Sequence, residues 1–116
     1  MGNTAYQKGE TGDDPKPVLY FTRRSGGFEA FIVNTGEAAT LDWEVEGAAG
    51  PEDTVEVPDW SAVDSIASNT ALAGDTSAMV DVTAAAAAHK HYRIMLNSNA
   101  ASTPTTYIVA AEDEKA

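Results

Sequence analysis

The sequence predicts an all-β fold, an antiparallel β-sandwich of about seven strands with an extended N-terminal arm. First, short runs rich in valine, isoleucine, phenylalanine and tyrosine recur from Val18 onward between turn residues, which is typical of sandwiches and barrels. Second, residues 39–47 alternate between apolar and acidic side chains, as a half-buried antiparallel strand requires. Third, 116 residues of which 43% are hydrophobic suffice for one core and leave no room for a second.

The arm is predicted over residues 1–17, which contain three glycines and two prolines. Met1 and Tyr6 are its only large apolar side chains. Because this segment lacks an apolar stretch, we expect synthesis in the cytoplasm without a signal peptide. No run of the sequence is long enough to cross a bilayer, and no membrane partner is expected.

The sandwich domain is predicted over residues 18–111. Its strands are expected at residues 18–24, 27–33, 39–47, 53–60, 77–83, 91–98 and 105–111. Residues 61–74 are predicted to be a long connection with at most one helical turn, because serine, asparagine and threonine interrupt their helical start. The alanine run 84–88 favours a helix but is too short to form one alone, so a single turn is predicted. Residues 112–116 are an acidic C-terminal tail that we expect to fray.

Trp43 and Tyr92 carry a resemblance to immunoglobulin-like and fibronectin-III-like sandwiches. Trp43, on the third predicted strand, stands where those domains place a buried tryptophan. Tyr92 opens the sixth strand and resembles the tyrosine corner, while Ile94 stands where antibody domains have their second cysteine. The resemblance implies that these three side chains belong to the core and that the sixth strand neighbours the third. The chain departs from antibody domains in lacking the cysteine pair.

The search for catalytic and cofactor-binding residues finds no candidate. The absence of cysteine excludes disulfides, thiolate metal sites and cysteine nucleophiles. Glu52, Asp53, Asp59 and Asp64 do not follow the alternating pattern of a calcium loop and are expected to be solvated. The glycine pairs lack the Lys-Ser/Thr of a phosphate loop. We therefore predict a protein that is not an enzyme and holds no cofactor or metal.

The two histidines, His89 and His91, are too few to form a metal site by themselves. They are expected with Arg93 on the outer face of the sixth strand. The neighbouring third strand has an acidic outer face, so cross-strand charge pairing is the expected role of these side chains. The acidic side chains concerned are Asp42, Glu44 and Glu46.

The net charge of −11 argues against nucleic-acid binding, which needs clustered lysine and arginine. The charge is unevenly distributed: residues 1–24 hold four basic and three acidic side chains, whereas residues 25–116 hold three basic and fifteen acidic ones. A soluble acidic surface with a neutral tail would explain this, and so would a tail that docks on an acidic partner. For the second alternative the candidate partner-binding residues are Tyr6, Lys8, Lys16, Arg23 and Arg24.

Apolar side chains on the outer faces of the sheets are a second indication of a partner-binding surface. If Phe28 and Ile32 point inward, Phe31 and Val33 point outward, and the sequence leaves both orientations open. Loops that cover such a face would explain it, as would a patch that is buried against another chain.

The favoured functional hypothesis is a structural virion accessory, because small cysteine-free sandwiches with a polar arm resemble phage capsid decoration and cement proteins. This class implies a location on the virion surface, with the major capsid protein or another shell protein as partner and a homo-oligomer as a further alternative. The competing hypothesis is a carbohydrate- or cell-surface-binding module with Trp60 and Tyr107 as its exposed aromatic side chains. An enzyme is the least favoured class.

Overall fold

The computed structural model describes residues 4–22, 27–37, 39–49, 59–82, 91–100 and 102–113, and within them every regular element is a β-strand. The strands are β1 (Thr4–Thr11), β2 (Lys16–Thr22), β3 (Phe28–Asn34), β4 (Leu41–Ala49), β5 (Asp59–Leu72), β6 (Thr76–Val82), β7 (His91–Ser98) and β8 (Thr105–Asp113). They form two four-stranded antiparallel sheets, sheet 1 in the order β1-β8-β3-β6 and sheet 2 in the order β2-β7-β4-β5. The predicted antiparallel sandwich is confirmed, with eight described strands in place of about seven.

The core lies between the sheets and is filled by alternate residues of the strands, as the period of two predicts. β7 shows this pattern over its whole length, with every second side chain buried. Trp43, Tyr92 and Ile94, which the resemblance assigns to the core, are all buried. Phe28 reaches across from sheet 1 to two aromatic rings of sheet 2, with ring centroids 5.3 Å from Phe21 and 4.6 Å from Tyr92.

β7 pairs with β4 in sheet 2, which places the sixth predicted strand beside the third as the resemblance implies. On the other side of β4 lies β5, the longest strand of the fold. The prediction of a long connection over residues 61–74 is therefore wrong, because Asp59–Leu72 is a strand. Three register shifts interrupt the pairing of β5 with β4. Such bulges break the alternation of side chains that sequence analysis relies on, which explains the error.

Residues 4–11, predicted as part of a separate arm, form β1 and pair with β8 at every position from Thr4 to Thr11. The sequence does not predict this strand because the residues at its core-facing positions are small or polar. Gly9 shows why: a Cβ atom there would lie 3.0 Å from the Tyr107 hydroxyl, so the tyrosine fills the space that a side chain would occupy. Residues 16 and 17 likewise belong to β2 and not to an arm.

Asn34, at the end of β3, is fully buried and joins the two sheets through its amide group. Its Nδ2 donates to the carbonyl oxygens of Ala39 and of Leu72, which ends β5 in sheet 2, each at 2.9 Å. Its Oδ1 accepts from the Gly36 amide at 3.2 Å and from the Thr105 hydroxyl at 2.7 Å. All the hydrogen-bonding capacity of the side-chain amide is thus used inside the fold.

Several predicted features lie outside the described residues. These are most of the predicted strand 53–60, the alanine turn 84–88, His89, Arg23 and Arg24.

Candidate functional site

The outer face of sheet 1 carries apolar side chains that form a line across all four strands. The strand register aligns the members of this line, called here the apolar row: Tyr6, Ala110, Phe31 and Met79. Exposed fractions are 59% for Tyr6, 36% for Phe31 and 61% for Met79. Antiparallel sheets that face water normally present polar side chains on that side. The apolar row is therefore an exposed apolar surface that no described part of the chain buries.

Two further lines of side chains border the apolar row. On one side the register aligns a mixed row: Lys8, Ile108, Val33 and Ser77. On the other side it aligns an acidic row: Glu112, Glu29 and Asp81. Half-buried Ile108 and Val33 widen the apolar surface toward Lys8, whereas the opposite border is acidic on β8, β3 and β6.

The structure brings together two of the predicted partner-binding residues and separates a third. Tyr6 and Lys8 lie on successive outward positions of β1 and contribute to the outer face of sheet 1. Lys16 is exposed at the start of β2, in sheet 2, where it pairs with Leu96. Arg23 and Arg24 lie outside the described residues.

Phe31 is an outward residue in one of the two orientations that the sequence leaves open for its strand. Met79 is not predicted from the sequence as part of an apolar surface. The alternation along β3 contains the necessary signal, since burial of Phe28 and Ile32 forces Phe31 outward. Met79 carries no comparable signal in the sequence. It joins the apolar row only because β6 pairs with β3 in a register that aligns Met79 with Phe31.

The outer face of sheet 2 is largely polar along β4 and β7, where side chains of the two strands pair with each other. Arg93 Nε donates to Glu46 Oε1 at 2.8 Å across β7 and β4, which confirms the expected charge pairing of these strands. The Arg93 guanidinium also lies 4.6 Å from the centroid of the Trp60 ring, within the range of a cation–π contact. His91 Nδ1 lies 3.1 Å from the Thr22 hydroxyl, so it has a neutral partner in β2.

A groove of about 300 Å³ runs along this same face beside the outward acids of β4. Its principal side chains are Asp42, Glu44, Glu46, Met95 and Asn97. Asp42 is held by three donors: the Ala71 amide at 2.9 Å, Asn99 Nδ2 at 2.7 Å and Asn97 Nδ2 at 3.3 Å. Burial raises the pKa of Asp42, but the hydrogen bonds from Asn99, Ala71 and Asn97 outweigh it and lower the pKa below the ordinary 3.8.

We expect substitution of Asp42 by asparagine to reduce stability at neutral pH and to have a smaller effect in acid. A carboxylate whose pKa is lower in the folded than in the unfolded state adds stability above the unfolded value, and this is lost as pH falls through the folded pKa. The measurement is the urea midpoint of both proteins between about pH 7 and about pH 2. A difference between the midpoints that does not narrow below about pH 4 would contradict the assignment.

Side chains that could bind a metal ion do not cluster in the described part of the fold. Among the residues that the structure describes, no three histidines or carboxylates are placed to hold a metal ion. In the part of the chain that the structure describes, there is no helix long and apolar enough to cross a membrane.

No protein-family model and no curated protein matches the chain. Among solved structures, the chain is similar over its whole length to 90% of the Yersinia pseudotuberculosis-derived mitogen, with 15% identity and a TM-score of 0.59. It is similar over its whole length to 88% of a subunit of the Bacillus endospore appendages, a family of disulfide-linked pili, with 8% identity and a TM-score of 0.58. A chain of infectious bursal disease virus, Gx strain, matches 97% of this chain over 32% of its own length, at 6% identity and a TM-score of 0.45. The first two similarities show the fold alone, and the third is too weak to carry an argument.

Proposed function

We propose that the chain is a non-enzymatic structural protein that docks on a protein partner through the outer face of sheet 1. The more specific proposal is a virion accessory, a capsid decoration or cement protein bound to the shell on the virion surface after synthesis in the host cytoplasm. The single observation that carries the docking proposal is the apolar row, which crosses all four strands of sheet 1.

The physical argument concerns the cost of leaving this row in water. Tyr6 and Met79 are more than half exposed, and Phe31 lies between them in the row. Burying apolar surface contributes about 25 cal/mol for each Å² removed from water. An exposed and contiguous apolar patch on a sheet is typical of a protein interface. The sheet also provides rigid positions for these side chains, because each of its strands is held by hydrogen bonds to its neighbours.

The composition of the rest of the molecule supports a decoration role. The chain is acidic, with a net charge of −11, and a highly charged outward surface keeps particles soluble and apart. The endospore appendages share the fold and are pili linked by disulfides. This chain has no cysteine and so cannot form such disulfides, whereas the apolar row offers non-covalent contacts.

The structure changes the docking mechanism that the sequence suggested. Tyr6 and Lys8 act here as part of a sheet face, since β1 is paired with β8 along its length. Deletion of residues 1–17 would remove β1 and the start of β2, and would leave the edge of β8 unpaired. Point substitutions on the outer face are therefore the appropriate test.

The docking proposal predicts that replacement of Phe31 and Met79 by serine abolishes attachment without unfolding the domain. The test uses virus particles from the native source that have been stripped of this protein, with rebound copies per particle counted by quantitative gel analysis. We expect at least a tenfold loss of affinity, because a combined loss of about 1.4 kcal/mol from two large apolar side chains of the row already corresponds to a factor of ten. Unchanged urea midpoints would show that the domain remains folded.

The matched control is Met95→Ser on the outer face of sheet 2, where Met95 is half-buried and remote from the apolar row. This variant should rebind as the original protein does. Equal rebinding of the Phe31 and Met79 variant would contradict docking through sheet 1, and absence of the protein from purified native particles would contradict the virion location.

The alternative of a carbohydrate-binding module rests on Tyr20, which is exposed beside Trp60. The two ring centroids are 5.5 Å apart, but the ring planes meet at 64°, so the pair does not form a flat stacking platform. Tyr107, the other aromatic side chain expected to be exposed, is 6% exposed and belongs to the core. Glycan binding that Tyr20→Ser removes would nevertheless favour this alternative over docking on a shell.

A further inference from the structure

We infer that the partner of the outer face of sheet 1 presents an apolar surface bordered by lysine or arginine side chains, and that it is a different protein and not a second copy of this chain. This inference rests on the proposed function, because it assumes that the apolar row is the centre of a docking surface. It adds the chemistry of the partner.

The charge complementarity comes from the acidic row beside the apolar row. Glu29 lies directly opposite Glu112 on β8 and directly opposite Asp81 on β6. Side chains so aligned are about 5 Å apart at Cβ, and like charges in this arrangement destabilise a sheet. Asp81 and Glu112 are exposed and Glu29 is half-buried, so all three can be reached by a partner. No basic side chain occupies a described position of this row.

A partner that covers the apolar row must also approach the acidic row, because the two are successive outward positions on the same strands. Partial removal of water from three aligned carboxylates is unfavourable unless positively charged groups take the place of that water. Ammonium or guanidinium groups at the border of the partner surface supply that charge and also relieve the repulsion within the row.

The shape of the row favours several cationic side chains over one bound ion. Three neighbouring strands span about 10 Å in the hydrogen-bonding direction. A calcium ion holds its oxygen ligands at about 2.3–2.6 Å. The carboxylates extend in a row across three separate strands, which matches a row of lysine or arginine side chains on a partner.

A second copy of this chain lacks the required charge. Lys8 is the only basic side chain among the described outward positions of sheet 1, which also hold Glu10 in addition to the acidic row. A two-fold interface places the same face on both sides. Depending on the direction of the axis, each acidic row would meet either the other acidic row or a mixed row whose one basic side chain is Lys8, and each whole chain carries −11.

The test uses two synthetic cyclic β-hairpin peptides that have the same apolar face and carry either four lysines or four glutamates at their borders. Binding is measured by isothermal titration calorimetry to the full chain and to three variants. The first variant neutralises the acidic row (Glu29→Gln, Asp81→Asn, Glu112→Gln). The second is a charge-matched control that neutralises three acids elsewhere (Asp14→Asn, Glu37→Gln, Glu44→Gln). The third is Phe31→Ser.

We expect the lysine peptide to bind the full chain and the charge-matched control equally, and to bind the acidic-row variant about tenfold more weakly, as three exposed ion pairs of ordinary strength would give. The glutamate peptide should not bind. Equal binding of both peptides, or no binding of either, overturns the inference about the partner. If the two peptides bind equally and Phe31→Ser abolishes the binding of each, the proposal of docking through sheet 1 still holds. Only the inference that the partner carries lysine or arginine is then overturned.

Two further outcomes would also overturn the inference. Sedimentation that shows a dimer of the full chain, lost in Phe31→Ser, would identify a second copy as the occupant. Calcium binding that is lost only in the acidic-row variant, together with unchanged affinity for the lysine peptide, would assign the row to a metal ion.

Discussion

Replacement of Asn34 by alanine should lower the free energy of unfolding by about 3 kcal/mol or more, because two buried and two half-buried polar groups lose their partner together. The carbonyl oxygens of Ala39 and Leu72 both accept from its Nδ2. The Gly36 amide and the Thr105 hydroxyl both donate to its Oδ1. Each buried polar group left unsatisfied costs about 1–3 kcal/mol. The free energy of unfolding of a whole domain is about 5–15 kcal/mol, so this loss should leave the variant only marginally stable.

Urea unfolding followed by tryptophan fluorescence measures this loss as a lower midpoint at unchanged slope. Asn69→Ala is the matched control, because Asn69 is exposed and its Oδ1 accepts a local hydrogen bond from the neighbouring Thr70 amide. The control should change stability by less than about 0.5 kcal/mol. Equal effects of the two substitutions would mean that Asn34 does not join the sheets as described.

Replacement of Phe28 by alanine should cost about 3–5 kcal/mol, the usual loss for a buried aromatic side chain. Phe28 is 1% exposed and contacts Phe21 and Tyr92 of the opposite sheet. The substitution therefore removes apolar surface from the centre of the sandwich and leaves a cavity between the sheets. Thermal or urea unfolding of the purified variant measures the loss.

Phe31→Ala provides a control on the same strand with the same change of side chain. Phe31 points outward from β3 and is 36% exposed, so its removal should change stability by about 1 kcal/mol or less, the usual range for a cross-strand contact. The two variants therefore compare the core-facing side of β3 with its outward side, to which the proposed docking surface belongs. A large loss of stability in Phe31→Ala with a small loss in Phe28→Ala would reverse the orientation of β3 and remove the basis for the apolar row.

The fold class could be predicted from short-range patterns because a period of two depends only on neighbouring residues. The alternation of Leu41, Trp43 and Val45 marks β4 as a half-buried strand, and the burial of these three side chains agrees with it. β5 could not be predicted in this way. Its bulges shift the side chains from one face to the other, and only its pairing with β4 reveals the strand.

The candidate site depends on pairings between distant parts of the chain. The sequence assigns Tyr6 and Lys8 to an extended N-terminal arm, but their neighbours Ala110 and Ile108 are about a hundred residues away along the chain. Met79 enters the same surface through β6. No local pattern contains this information, because hydrogen bonds between strands, and not sequence separation, fix which side chains share a row.

The sequence by itself determined the antiparallel sandwich, the inward positions of β4 and β7, the lack of cysteine chemistry and the acidic character of the surface. The tertiary structure alone decided that the N-terminal segment completes sheet 1, that Asn34 joins the sheets, and that Tyr6, Phe31 and Met79 lie in one exposed row. The physical reason is that a strand specifies which of its side chains share a face, whereas the register between strands specifies which faces become one surface.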